Sequence, residues 1–65
     1  MLKVKLVNRE NDKMFETEIQ HNETIGSLFF KISLQHDISD ITNEYGQHIP
    51  HEYNIVRNMT FYYSK

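Results

Sequence analysis

The chain opens on an alternation: Leu2, Val4 and Leu6 are apolar, Lys3 and Lys5 are charged, and only Val7 breaks the pattern. A period of two puts the aliphatic residues on one face of a strand and both lysines on the other. A polar stretch from Asn8 to Lys13 follows, with Asn and Asp residues that accept turn conformations. Phe15-Glu16-Thr17-Glu18-Ile19 then alternates again, with Phe15, Thr17 and Ile19 inward and two glutamates outward. Two alternating runs around a short polar loop predict a β-hairpin. Its outward lysines and glutamates share one sheet face and are expected to pair across the strands for a few tenths of a kcal/mol.

After Ile19 the period changes. Ile25, Leu28, Phe29 and Ile32 recur at i, i+3, i+4 and i+7, which predicts a helix with Asn22 or Thr24 as N-cap. These four lie within roughly 100° of one another on the helical wheel. The helix is expected to end near Gln35 to Asp37, and Gly26 within it costs about 1 kcal/mol against alanine. Ile41 to Tyr45 predicts a short strand, Gly46 a turn, and Ile49-Pro50 an extended pair, because a residue before proline avoids the helical region. Met59 to Tyr63 is rich in strand formers, with Phe61 and Tyr63 inward and Tyr62 outward. One amphipathic helix must cover one face of a small sheet, so the fold class is two-layer α+β. The simplest such arrangement is a β-grasp, in which the sheet wraps around the helix.

With 65 residues the chain is one small domain spanning residues 1–65, and such a domain buries only about 60% of its unfolded surface. No cysteine is present, so there is neither a disulfide nor a thiolate metal site. The longest purely apolar run is Leu28-Phe29-Phe30, far short of the about 20 residues a membrane span takes. Seven Lys and Arg against nine Asp and Glu argue against binding nucleic acid through its phosphates. The N-terminus lacks a continuous hydrophobic segment, so no secretory signal is expected and a cytoplasmic location is. Richness in Asn, Ile, Lys, Tyr and Phe is a compositional hint of a low-GC bacterium or its phage.

Several stretches have a family likeness. Ile19 to Ile38, with Glu23-Thr24-Ile25 leading into Leu28, Lys31-Ile32 and Asp37-Ile38, resembles the first helix of ubiquitin without a gap. Gly46-Gln47-His48-Ile49 is similar to the Gly-Lys-Gln-Leu turn of that family. Glu52-Tyr53-Asn54-Ile55 followed by Met59-Thr60-Phe61 resembles the segment entering its last strand. The likeness covers most of the chain, with about eight residues missing around the middle strands. It implies a ubiquitin-like β-grasp in which the hydroxyl of Tyr53 pins a loop.

Conjugated ubiquitins and the related sulfur carriers end in Gly-Gly, whereas this sequence ends Tyr62-Tyr63-Ser64-Lys65 and has only Gly26 and Gly46. Adenylation and thioester chemistry are therefore not expected. The positions of the apolar patch through which ubiquitin meets its readers fall near Asn8, Asn43 and Ser64, all polar. Small ubiquitin-like proteins without a Gly-Gly tail occur in bacteria beside type VII secretion genes, and this chain is similar to them in size and plan.

Candidate contact residues follow from the two amphipathic elements. If Ile25, Leu28, Phe29 and Ile32 face the sheet, Phe30 and Leu34 point roughly 150° away and stand one turn apart. They are candidate protein-binding anchors; a helix rotated deeper would instead bury Phe30 in the core. Tyr62 beside the outward Lys3 and Lys5 forms a second candidate surface, against the plainer reading of an exposed strand former. His48 and His51 supply only two of the three or four ligands a metal needs, so they are read as solvated loop histidines and no metal or other cofactor is expected. No nucleophile elbow, phosphate loop or sizeable cleft is visible, so no catalysis is expected. The sequence thus points to a non-catalytic, unconjugated adaptor whose partner is another protein, with no nucleic acid or membrane partner. The competing readings are a tail-less relative of modifiers or sulfur carriers, a self-associating protein forming a homodimer, and a phage- or plasmid-encoded inhibitor of a host enzyme.

Overall fold

A computed structural model describes all of residues 1–65. Strands β1 (Leu2–Asn8) and β2 (Met14–Ile19) form the expected hairpin, and β3 (Glu23–Thr24) runs directly into helix α1 (Ile25–Ser33). Then come β4 (Asp40–Thr42), β5 (Asn54–Ile55) and β6 (Met59–Ser64). The main sheet has the order β2-β1-β6-β4, with β1 and β6 parallel at its centre and the outer pairs antiparallel. The β-grasp expected from the element order is present, with one helix lying against one face of a mixed sheet.

The alternating pattern reads correctly into this sheet. Val4, Leu6, Ile19, Ile41, Phe61 and Tyr63 are buried against Ile25, Leu28 and Ile32 of the helix. Phe29, expected among the sheet-facing residues, is only half-buried, and its ring lies 5.5 Å from that of His51. Val7 is the exception in β1 because it sits on the outer face, opposite Tyr62 of β6, yet is only 9% exposed. The outer face is therefore covered at that point. The register also sets Lys3 opposite Glu18 and Lys5 opposite Glu16. Even so, the ion pairs of the chain are Lys31–Glu23 and His48–Asp40, so the expected cross-strand pairs are not made. Long exposed side chains gain too little from such a pair to hold one geometry.

The helix starts where three otherwise unpaired amides all find acceptors. Thr24 is the N-cap, its Oγ1 accepting from the Ser27 amide at 3.1 Å. The Ile25 and Gly26 amides donate to the carbonyls of Tyr53 and His51, at 2.9 and 3.0 Å. A Cβ on Gly26 would meet His51 Cβ at 3.2 Å, which explains a glycine inside a helix. The two-residue sheet of β3 and β5, absent from the sequence reading, completes this junction. At the other end the helix stops at Ser33 with Leu34 as C-cap, short of the expected Gln35 to Asp37. The Gln35 and His36 amides both donate to the Ile32 carbonyl, turning the chain so that His36 stacks on Phe15 with ring centroids 4.0 Å apart.

Glu23 ties the helix entry together. Its carboxylate accepts from Lys31 Nζ at 2.8 Å, Ser27 Oγ at 2.9 Å and the Gln20 amide at 3.0 Å. The hydrogen bond from Lys31 foremost holds its pKa below the ordinary glutamate value. A carboxyl group harder to protonate when folded adds stability that is complete above the unfolded pKa and lost as pH falls through the lower folded one. Glu23→Gln should therefore cost about 1 kcal/mol at neutral pH, a modest figure because Lys31 is half exposed. The difference should close as the pH drops below about 4. Thermal melts of both proteins from neutral to acid pH read this directly, and a gap that widened in acid would contradict it.

Candidate functional site

The middle of the chain departs most from expectation, and it shapes the outer face of the sheet. Strand β4 stops at Thr42 instead of running to Tyr45, because Asn43 diverts the backbone. Its Oδ1 accepts from the amides of Tyr45 and Gln47 at 2.9 and 3.0 Å, bonds that compete with a ladder. Gly46 closes the turn with φ +84°, and a Cβ there would also meet the Arg9 guanidinium at 3.0 Å. Arg9 reaches across from the hairpin loop. Its Nη1 donates to the Asn43 carbonyl at 3.3 Å, and its Cζ lies 5.9 Å above the Tyr62 ring.

This turn walls one side of an open concavity of about 490 Å³ beside β6, whose lining takes Thr60 and Tyr62 from the outer face of that strand and Met59 and Phe61 from the inner one. Tyr45, Ile49, Tyr53, Met59 and Tyr62 form most of its lining, with Glu44 as its one carboxylate. Tyr45 is 78% exposed and Tyr53 40%. The Tyr53 hydroxyl makes no bond to a loop backbone: it donates to Met59 Sδ at 3.7 Å, a weak acceptor. The backbone anchors the loop, through Tyr53 N to the Pro50 carbonyl at 3.1 Å and the Tyr53 carbonyl to Ile25 N. Tyr53 thus lines the concavity, and its hydroxyl does not pin a loop.

The residues singled out from sequence divide between two faces. Phe30 is 67% and Leu34 73% exposed on the side of the helix away from the sheet, so the rotated-helix reading is excluded. Leu34 keeps right-handed helical geometry, φ −72° and ψ −22°, which leaves it one turn beyond Phe30. Tyr62 does point outward, but it stands beside Val7 and Thr42 with Arg9 over its ring, one step along the sheet from the lysines. Lys5 lies opposite Thr60, and the Lys3 amide donates to Asn58 Oδ1 at 2.9 Å. The two lysines flank a shallower depression that shares Met59 and Thr60 with the aromatic concavity.

The polar positions expected to erase an apolar patch have structural work instead. Asn8 is the last residue of β1, 3% exposed, and its Oδ1 accepts from the Glu10 amide at 2.8 Å. Asn43 builds the turn, and the Ser64 carbonyl accepts from the Ser39 amide at 2.8 Å. Tyr45, Ile49, Tyr53 and Met59 instead give the concavity beside β6 its apolar lining, with Ile49 and Met59 packed against the core. Sequence reasoning missed Arg9, Tyr45 and Ile49. The available signal was Gly46, whose turn sets Tyr45 on the wall of the concavity. Among the histidines, His48 is more than a solvated residue, since its Nδ1 lies 2.7 Å from Asp40 Oδ1.

A single helix on a mixed sheet with this strand order has a solved counterpart. The crystal structure of the UBL domain of Plasmodium falciparum Dsk2 superimposes with a TM-score of 0.74, covering 97% of this chain and 95% of that one. The fold is the ubiquitin-like β-grasp. Sequence identity between the two is 15%, so the likeness speaks for the fold and for nothing finer. No protein-family model matches the sequence, and no curated protein does either. In this ubiquitin-like domain no helix is long and apolar enough to cross a membrane.

Proposed function

We propose that the chain is a non-catalytic protein-interaction module, an adaptor that acts by non-covalent surface contact. One observation carries the reading: a concavity of about 490 Å³ beside β6 is lined by Tyr45, Tyr53, Tyr62, Ile49 and Met59, with Arg9 over the ring of Tyr62. Aromatic residues, Met and Arg are the types enriched in the buried centres of protein interfaces. The Tyr62 ring, held on β6 beneath Arg9, loses little entropy on binding, so it makes an efficient anchor. The Dsk2 counterpart is itself described as a UBL domain, a likeness of fold that accords with this role.

A second surface is favoured by the exposure of Phe30 and Leu34. Around them lie Ser27 and Ser33 of the helix and Gln35 just past its end, while Lys31 is paired with Glu23. An outward helix face without free charge is a second contact patch, for a partner or for another copy of the chain.

The test is affinity capture with wild type, Tyr45→Ser/Tyr62→Ser and Phe30→Asp, after circular dichroism has shown that each variant folds. Proteins retained by wild type should be lost from the double tyrosine variant by at least about tenfold, the usual weight of interface anchors. A partner set unchanged by the tyrosine substitutions but lost with Phe30→Asp would move the interface to the helix.

A further inference from the structure

The segment between β4 and β5 carries two imidazoles whose backbones are both tied down. His48 pairs with Thr42 in an isolated β-bridge, and the amide of its neighbour Ile49 donates to the Ile41 carbonyl at 3.2 Å. Past Pro50, the His51 carbonyl accepts from the Gly26 amide at 3.0 Å. The two rings stand 6.1 Å apart, centre to centre, and Phe29 backs the His51 ring at 5.5 Å. Of the pair, His48 is the one hydrogen-bonded through its ring, with Nδ1 2.7 Å from Asp40 Oδ1.

That contact has a chemical consequence. A neutral His48 giving its Nδ1 proton to the Asp40 carboxylate keeps a free lone pair on Nε2, and the carboxylate orients the ring and raises its basicity. The same arrangement stands behind most metal-bound histidines. His48 is 59% exposed and His51 is exposed too, so an ion reaches both from solvent. An ion about 2.0–2.1 Å from each ligating nitrogen lies roughly 3.2 Å from each ring centre, so two rings sharing it stand about 4.5–6 Å apart. Rings at 6.1 Å need only a small side-chain rotation to close on one. Sequence spacing showed the two histidines but not the carboxylate behind one of them.

We infer that His48 and His51 form a surface site for one divalent first-row transition ion, with Asp40 orienting His48. No group of three or more protein ligands converges anywhere in the chain, so water fills the remaining positions. With imidazole and water as ligands and no cysteine to add a thiolate, affinity follows the Irving–Williams order, copper(II) above nickel(II) and zinc(II). Magnesium, which asks for oxygen ligands, is not held. Once bound, the ion bridges His48 and His51 across Ile49, a residue of the concavity wall. The site stands whether or not the concavity takes a partner.

Isotope-labelled domain titrated with zinc(II), and separately with copper(II), tests this through its amide and imidazole resonances. Zinc should shift the ring signals of His48 and His51 and the amides of Ile49 and Gly26. Copper should broaden the same signals at lower concentration, and magnesium should move none. Asp40→Ala should weaken zinc binding about tenfold, the ordinary effect of removing a carboxylate behind a ligating histidine. His51→Ala should weaken it at least as much, since it removes a ligand outright. His51 lies outside the strands, so that variant keeps the test open even if Asp40→Ala disturbs β4. His36→Ala, whose ring is stacked on Phe15, should bind as wild type. Wild-type affinity in His51→Ala, or first shifts at His21, His36 or the amine of Met1, would overturn the inference. Wild-type affinity in a folded Asp40→Ala would overturn the role given to Asp40.

Discussion

Phe61→Ala is expected to leave much of the protein unfolded at room temperature. Phe61 is among the largest fully buried side chains and lies on β6, between β1 and β4 in the main sheet. It stands in register with Leu6 and belongs to the same buried cluster as Ile25 and Leu28. Truncating a phenylalanine in such a place costs about 3–5 kcal/mol, the transfer of the lost atoms plus the cavity left behind. A 65-residue domain has a total stability of roughly 3–10 kcal/mol, so the loss is comparable to the whole. No disulfide limits the unfolded chain. Urea titration followed by circular dichroism should show the folded baseline shortened or gone, whereas Phe61→Leu should fold with a loss of about 1–2 kcal/mol. A Phe61→Ala protein melting within a few degrees of wild type would mean that β6 is not central to the core.

The core was legible because it obeys two periods. Leu2 to Leu6 and Phe15 to Ile19 declare a pleated face, Ile25 to Ile32 a helical one, and those faces meet as expected. Phe30 and Leu34 were legible by the same rule, as the residues left over. What stayed hidden depends on contacts with no local period. Strand β5 is two residues long and exists only because β3 pairs with it. The helix ends early because His36 finds Phe15, a contact 21 positions away in sequence. Arg9 reaches the Asn43 turn through a hydrogen bond spanning 34 positions. Nothing in the composition of the hairpin loop distinguishes Arg9 from a solvated arginine. The cross-strand lysine and glutamate pairs show the opposite limit, since register was read correctly but register alone does not make an ion pair.

Asn43→Ala should couple stability to binding more directly than truncation of any tyrosine of the concavity. The side chain's Oδ1 serves the amides of Tyr45 and Gln47, and its Nδ2 donates to Gln47 Oε1 at 2.9 Å. Both amides lie in an exposed turn, so on truncation they bond to water instead of being stranded. The cost is then about 1–2 kcal/mol rather than the larger penalty of buried orphans. In a domain of this size that lowers the melting temperature by roughly 5–10 °C. The backbone carbonyl that receives Arg9 Nη1 belongs to the same residue, so a loosened turn also frees Arg9 from Tyr62. Tyr45, carried on that turn, would lose its position on the concavity wall, and partner affinity should fall although no aromatic side chain has been removed. Asn43→Asp keeps both amide bonds and loses only the donation to Gln47, so it should retain most of the stability and binding. Amide exchange at Tyr45 and Gln47, read beside the melting curves, separates these outcomes. Slow exchange at both amides in Asn43→Ala would show that Gly46 and Arg9 hold the turn without the asparagine.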